Sequence, residues 1–425
     1  MRMVLVLCAA LMVGCAVRPA GEREEHNVAA PTTRVSDPTF EPDGYPNTLT
    51  DALAMLEDRP AWEQREELVL TRHPYEQYLK NWVIVLDPGH GGDAHIAGYK
   101  RGPSGVREAE MNLRVSILLK KLLDDAGALV TLTRDADYDL GLRERAEIAN
   151  NIVRPDGGRG ADLFISVHHN AVNRPEANYT SIWYHGPSDY AEIEVDIAKP
   201  IAFHLIRMMR TDVPKTQPLM SDKQMYAGGF GVLKHATVPA ILLECSFYTN
   251  PDEEQRLRDA VYNLREAYAV YWALCEYARG GRPTQKTPAV ESVADETMLS
   301  TTLDDGLFGG WGAELGRIIP SSIHVRVNGK TVPHTFDEKS RVLKAIPGEL
   351  SDDAVVELRF MNIYKHSNHP QRYRVIRSEE GAMLAPLGRP RPQTPTTGPM
   401  HPEAPVGTTR PVGSQELLQP PPRQD

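Results

Sequence analysis

The apolar positions of this chain fall into two textures. Between residues 81 and 281, short apolar runs alternate with longer stretches in which apolar residues recur at helical spacing. Trp82-Val83-Ile84-Val85-Leu86 is one such run, and it stops at a tight turn, Asp87-Pro88-Gly89-His90-Gly91-Gly92. The next stretch, 108–125, places Met111, Leu113, Val115, Leu118, Leu119, Leu122 and Leu123 at helical intervals, and Gly127 ends it. Further strands are predicted at 128–133, 161–167, 181–184 and 238–243, and further helices at 142–152, 193–209 and 251–277. Continuous apolar strands alternating with helices predict an α/β domain, a mostly parallel sheet flanked by helices.

The second texture follows Gly280-Gly281-Arg282-Pro283. Residues 282–300 read as a polar linker and 301–378 as a small all-β domain resembling a bacterial immunoglobulin-like module. Its clearest signal is Asn328-Gly329, a hairpin turn between residues 323–327 and 330–332. Strands are also expected at 342–346, 355–360 and 372–376. Residues 379–425 are proline-rich and predicted to be a disordered tail.

The opening residues carry an address. Arg2 and the short apolar run Val4 to Val13 predict a signal peptide over 1–14. Met12-Val13-Gly14-Cys15 resembles a bacterial lipobox, which implies a lipidated Cys15 and membrane attachment through a lipid anchor. The other reading is cleavage nearby with Cys15 released. Ala16 after the cysteine resembles sorted lipoproteins of the outer membrane facing the periplasm. Residues 15–46 read as a disordered tether, and 47–80 as a helical segment with Thr48 as N-cap and breaks at Pro60 and Pro74.

Charge narrows the partners. The chain has 57 acidic and 47 basic residues, a net charge of −10, so nucleic acid is not an expected partner. Of the four cysteines, Cys245 and Cys275 lie in the folded region. An exported protein allows a disulfide between them, and two buried free thiols are the other reading.

The candidate chemistry sits at strand ends. A catalytic zinc takes three protein ligands of histidine and carboxylate type and keeps a fourth position for water. His90 supplies one ligand, Glu108 a second at the start of its helix, and His168 a third. Alternatives exist for each. The glycine turn could hold phosphate, although it lacks the Gly-Lys-Ser/Thr ending and the Gly-x-Gly-x-x-Gly pattern. Glu110 competes with Glu108. Only one of His168 and His169 can face the site, because successive strand residues point to opposite faces. Glu244, ending the apolar run 239–243, is the candidate base and acid. It could instead be an ion-pair partner of Lys234 or Arg134. Arg134, Arg143, Arg145 and Asn170 are candidate substrate contacts, with a structural role as the other reading of the arginines.

These motifs together resemble the zinc-dependent N-acetylmuramoyl-L-alanine amidases of the bacterial cell wall, the amidase-3 family, over residues 82 to about 277. The carrying residues are Leu86-Asp87-Pro88-Gly89-His90-Gly91-Gly92, Gly105-Val106-Arg107-Glu108 with Asn112-Leu113, and Leu132-Thr133-Arg134-Asp135. Leu142-Arg143-Glu144-Arg145 with Ala149-Asn150, then Ser166-Val167-His168-His169-Asn170-Ala171, continue the match. Val238-Pro239-Ala240-Ile241-Leu242-Leu243-Glu244 and Thr249-Asn250-Pro251 close it. The resemblance implies zinc on His90, Glu108 and His168, with Glu244 catalytic. It also implies a substrate: the amide between N-acetylmuramic acid and L-alanine of peptidoglycan.

The chain departs from its relatives in the loop Asp93 to Gly105, with His95 and Tyr99-Lys100-Arg101, and in the long segment 186–231. In some family members a helix in the latter region occludes the zinc until a protein activator displaces it. Residues 191–209 are such a helix or plain scaffold. Cys245 stands where a small apolar residue is usual. Other readings are a zinc peptidase acting on another envelope amide, a non-catalytic envelope binding protein, and a thiol hydrolase built on Cys245. Products, zinc content and sensitivity to alkylation separate them.

Overall fold

The computed structural model describes residues 70–214, 217–293, 296–307, 317–378 and 381–387. The expected signal peptide, tether and lipidated Cys15 lie outside the described residues, as do most of the helical segment 47–80 and the tail beyond residue 387. Of residues 70–80, only Glu76–Leu79 is helical, as one turn of 3-10 helix, and not the longer helix expected there.

Six strands form the central sheet: β1 (Val83–Pro88), β2 (Leu129–Leu132), β3 (Leu163–Asn170), β4 (Ser181–Tyr184), β5 (Leu219–Ser221) and β6 (Ala240–Phe247). Their order is β2-β1-β3-β6-β4-β5. All neighbours are parallel except β4 and β6. The helices are α1 (Glu108–Asp125), α2 (Leu142–Asn151), α3 (Glu192–Met209), α4 (Gly231–His235), α5 (Pro251–Leu257) and α6 (Ala260–Arg279).

Strand alternation sorts the sheet's two faces. Ile84, Leu86, Ile165, Val167, Ile241 and Leu243 pack with α1, α3 and α6. Val85, Phe164 and Leu242 pack with α2 and α4. Burial on both sides explains why these strands read as continuous apolar runs.

Two expectations are corrected here, and the two readings of residues 191–209 narrow to one. The helix 251–277 is two helices, because Asp259 caps a new one: its Oδ1 accepts the Val261 N–H at 2.8 Å. The strand at 238–243 runs on to Phe247, so Glu244 lies within β6 rather than past its end. The helix over 191–209 is scaffold: Ile193, Ile197, Ile201, Leu205 and Met209 are buried in the core shared with α6.

The all-β region begins earlier and ends later than expected. β7 (Thr284–Gln285), β8 (Ala289–Val293) and the first part of β9 (Glu296–Asp304) occupy the predicted linker 282–300. They are followed by β10 (His324–Val327), β11 (Lys330–Thr331), β12 (His334–Asp337), β13 (Val342–Ala345), β14 (Val355–Arg359), β15 (Arg372–Ser378) and β16 (Gly381–Leu387). β16 pairs with β15 along residues assigned from sequence to the tail. The strands form two sheets, β11-β10-β14-β15-β16 and β12-β13-β9-β7, with β8 on β9. Leu299, Leu303, Val325, Leu343, Val356, Leu358, Phe360 and Tyr373 fill one core between them.

The β region docks on the α/β domain through specific contacts. Asn362 Nδ2 donates to Gly280 O at 2.7 Å. The His366 ring stacks on Tyr277 at 4.2 Å. Arg282 pairs with Asp162 at 2.6 Å and lies over the Trp82 ring. Among the described residues, no helix is long and apolar enough to cross a membrane.

Candidate metal centre

The glycine turn after β1 is built around a histidine. His90 has φ of 60°, and Gly91 and Gly92 have φ of 126° and 70°. The positive φ at His90 costs on the order of 1–3 kcal/mol and persists because neighbours hold the turn. Gly89 is required for a different reason: a Cβ there would stand 2.2 Å from the His168 ring.

Buried groups behind the turn fix it. Asp87 accepts from Thr133 Oγ1 at 2.6 Å, Ser166 Oγ at 2.7 Å and Arg145 Nη1 at 2.8 Å. Burial would raise the Asp87 pKa, but Arg145 and the two hydroxyls outweigh it, so it lies below the usual carboxylate range. Arg145 also donates to Pro88 O and His90 O, at 2.7 and 2.9 Å. Arg134 donates to Pro88 O, Gly89 O and Ala109 O, at 2.9, 2.8 and 2.6 Å.

Arg134 therefore cannot serve as the expected substrate contact: its buried guanidinium is taken up by backbone carbonyls. Arg143 is exposed at the start of α2 and pairs with Glu147 on its own helix at 2.8 Å. Asn170 ends β3, partly buried, and its Oδ1 accepts the Ala171 N–H at 2.8 Å.

His90, Glu108 and His168 converge. Their ligand-type atoms all lie within 4.8 Å of one another. Glu108 Oε1 is 3.2 Å from His90 Nε2 and 3.1 Å from His168 Nδ1. Glu108 is 2% exposed at the first turn of α1, where the helix dipole favours an anion. Its rival Glu110 is committed to Arg107 at 2.7 Å. His168 is the histidine of its pair that faces the site, and His169 points to the α1 and α6 side.

The electrostatics suit cation binding. Burial would raise the Glu108 pKa, but His90, His168 and Lys100 hold it well below the usual range. Burial drives His168 down to about 4, against the pull of Glu108, so its imidazole is neutral at physiological pH. Lys100 Nζ stands 3.5 Å from Glu108 Oε2. It comes from the loop 93–105, and no role is assigned to it from the sequence.

Glu244 completes the site. It pairs in register with His168 across β3 and β6, so the two side chains share a face. Its Oε2 is buried with no hydrogen-bond partner among the described residues. Burial and then the Glu108 charge push its pKa well above the usual range, with Lys100 opposing. The ion-pair alternatives fail, since Lys234 is exposed and Arg134 is engaged with carbonyls. Cys245, the next residue, is fully buried on the other face, and burial raises its thiol pKa. That environment is wrong for a nucleophilic thiolate. Cys245 and Cys275 are both free, so the disulfide reading is withdrawn.

A family model described as N-acetylmuramoyl-L-alanine amidase matches residues 84–276. The chain is 30% identical over 212 residues to the germination-specific N-acetylmuramoyl-L-alanine amidase of Bacillus subtilis (strain 168), across 48% of this chain and 83% of that protein. The chain belongs to the N-acetylmuramoyl-L-alanine amidase family. This amidase is also 28% identical over 228 residues to the N-acetylmuramoyl-L-alanine amidase AmiA of Escherichia coli (strain K12), across 46% of this chain and 75% of that protein. Among solved structures, the amidase AmiC2 of Nostoc punctiforme shares 26% identity at a TM-score of 0.38, covering 46% of this chain and 97% of that one. The matched span of this amidase contains His90, Glu108, His168 and Glu244 and stops short of the β region.

Proposed function

We propose that this chain is a zinc-dependent amidase that hydrolyses the bond between N-acetylmuramic acid and L-alanine in peptidoglycan. The observation that carries the reading is the convergence of His90, Glu108 and His168 beside Glu244. Two imidazoles and one carboxylate are a donor set for catalytic zinc. Neutral His168 and ionised Glu108 are the protonation states such ligation needs. When bound, the ion supplies Lewis acidity and lowers the pKa of water.

The chain's own residues supply the rest. Glu244 accepts the proton of the attacking water and returns it to the leaving alanine nitrogen. A carboxylate whose pKa is raised by burial is suited to both tasks near neutral pH. Arg145, Arg134 and Asp87 keep His90 in place. Arg143 and Asn170 lie at or near the surface as contacts for the stem peptide.

We also read the two-sheet β region as an immunoglobulin-like module that binds wall material or a protein activator. The expected lipobox supports an outer-membrane lipoprotein facing the periplasm, anchored through Cys15.

The test is product identity. The full-length chain, loaded with zinc, is incubated with purified peptidoglycan, and the products are read by mass spectrometry. Stem peptides with a free N-terminal L-alanine, beside intact glycan, support the amidase. Cuts between amino acids would instead establish the peptidase reading.

A further inference from the structure

Behind the metal centre lies a second polar cluster that the proposed reaction does not use. His169, Cys245 and Glu266 are fully buried on the face of the sheet opposite His168 and Glu244. His169 Nε2 stands 3.1 Å from Glu266 Oε1 on α6, both side chains being 0% exposed. His169 Nδ1 is 2.8 Å from Asn112 Oδ1 on α1. Asn112 in turn directs Nδ2 at Gly89 O, 3.2 Å away, and at Glu108 Oε1, 3.4 Å away. The His169 backbone N–H also points at Glu108 Oε1, at 3.4 Å.

We propose that Glu266 is a positioning residue for the metal centre, acting through His169 and Asn112 on the ligand Glu108. The proposal rests on the metal reading above. Asn112 Nδ2 faces two oxygens, so its Oδ1 must face His169, and His169 Nδ1 must carry a proton to donate to it. His169 Nε2 then faces the Glu266 carboxyl group at 3.1 Å. This arrangement fixes the imidazole ring and both of its nitrogens. It thereby fixes the Asn112 amide, which holds one Glu108 oxygen and the carbonyl of the His90 turn. Partners behind metal ligands of this kind change metal affinity by about 10- to 100-fold when lost.

The isosteric change Glu266→Gln separates this from a packing role. Glutamine can accept a hydrogen bond from Nε2–H. Its amide can equally donate to Nε2, so neither the tautomer nor the Asn112 amide is any longer fixed. Zinc affinity is measured by chelator competition on the full-length chain, with the absorption spectrum of the cobalt-substituted protein and the melting temperature alongside. Glu266→Gln is expected to weaken zinc by about 10-fold and shift the cobalt spectrum. In an Asn112→Ala background the same change is expected to add nothing, because the route is already cut.

Unchanged affinity and spectrum, or a full loss that persists without Asn112, would overturn the proposal. So would a second zinc per chain that disappears in Cys245→Ala, since the cluster would then be a metal site of its own. Should Glu266→Gln fail to fold, the double change His169→Leu with Glu266→Leu removes the pair without leaving a lone buried charge. The proposal expects the same loss of affinity there, and unchanged affinity contradicts it. Zinc content indifferent to His90→Ala would fell the underlying metal reading and the proposal together. Normal binding in the Glu266 variants alone fells only the proposal.

Discussion

The same two strands build two polar clusters, one on each face, and the clusters differ in access. On one face, β3 and β6 present His168 and Glu244, both partly exposed beside the glycine turn. On the other, one residue further along, they present His169 and Cys245, sealed under α1 and α6. Each cluster contains a glutamate and a histidine. Both glutamates have carboxylate oxygens with no hydrogen-bond partner among the described residues, but only Glu244 lies where it can exchange protons with the site. In the closed one Glu266 and His169 face each other at 3.1 Å. One strand pair thus gives chemistry on one face and support on the other, because the side-chain period is two.

Several measurements sharpen that contrast. The largest effect is expected from metal removal. Dialysis against a chelator should reduce peptide release from peptidoglycan to background, and added zinc should restore it; activity that survives complete removal would break the open-face assignment. Next comes Arg145→Ala, which leaves Asp87 as a buried carboxylate without its ionic partner. A loss of about 3–5 kcal/mol is expected, seen as a fall of roughly 10 °C in melting temperature.

A smaller effect, of opposite sign, is expected from Glu244→Gln in the metal-free protein. The folded-state pKa of Glu244 is raised, so its contribution is complete below the usual carboxylate pKa and is lost as pH rises through the raised value. Glu108 runs the other way: its pKa is depressed, and its contribution is lost only as pH falls through the depressed value. Glu244→Gln should therefore raise the melting temperature of the metal-free protein at neutral pH and leave its acid limb unchanged. The smallest effect belongs to Arg143→Ala. Its pair with Glu147 is exposed, so denaturant unfolding should shift by less than about 0.5 kcal/mol.

The α/β half was legible because buried parallel strands leave continuous apolar runs, and because His90, Glu108, His168 and Glu244 interrupt apolar or glycine-rich stretches. Their neighbours were harder to read. From sequence Arg134 reads as a substrate contact or a structural residue, and nothing in its neighbours decides between them; in the fold, carbonyls of the glycine turn consume it. Glu266 was passed over within the apolar stripe of α6. An acidic residue at a core position of an amphipathic helix is the signal that could have found it.

The β region's start was misread because β8 and β9 are rich in Glu, Ser and Thr and bury little besides Leu299, Thr301 and Leu303. Such half-buried strands resemble a polar linker when no partner strand is in view. The break between α5 and α6 was written in Asp259, a capping residue inside an otherwise helical stretch.

The central claim is that Glu244 moves the protons at a metal centre it does not itself build. The most direct test measures peptide release and zinc affinity together, on full-length wild type and Glu244→Gln. The account predicts that release falls by about 10²- to 10⁴-fold while zinc binds with nearly wild-type affinity. Glu244→Gln enzyme that still releases peptides at the wild-type rate would contradict it.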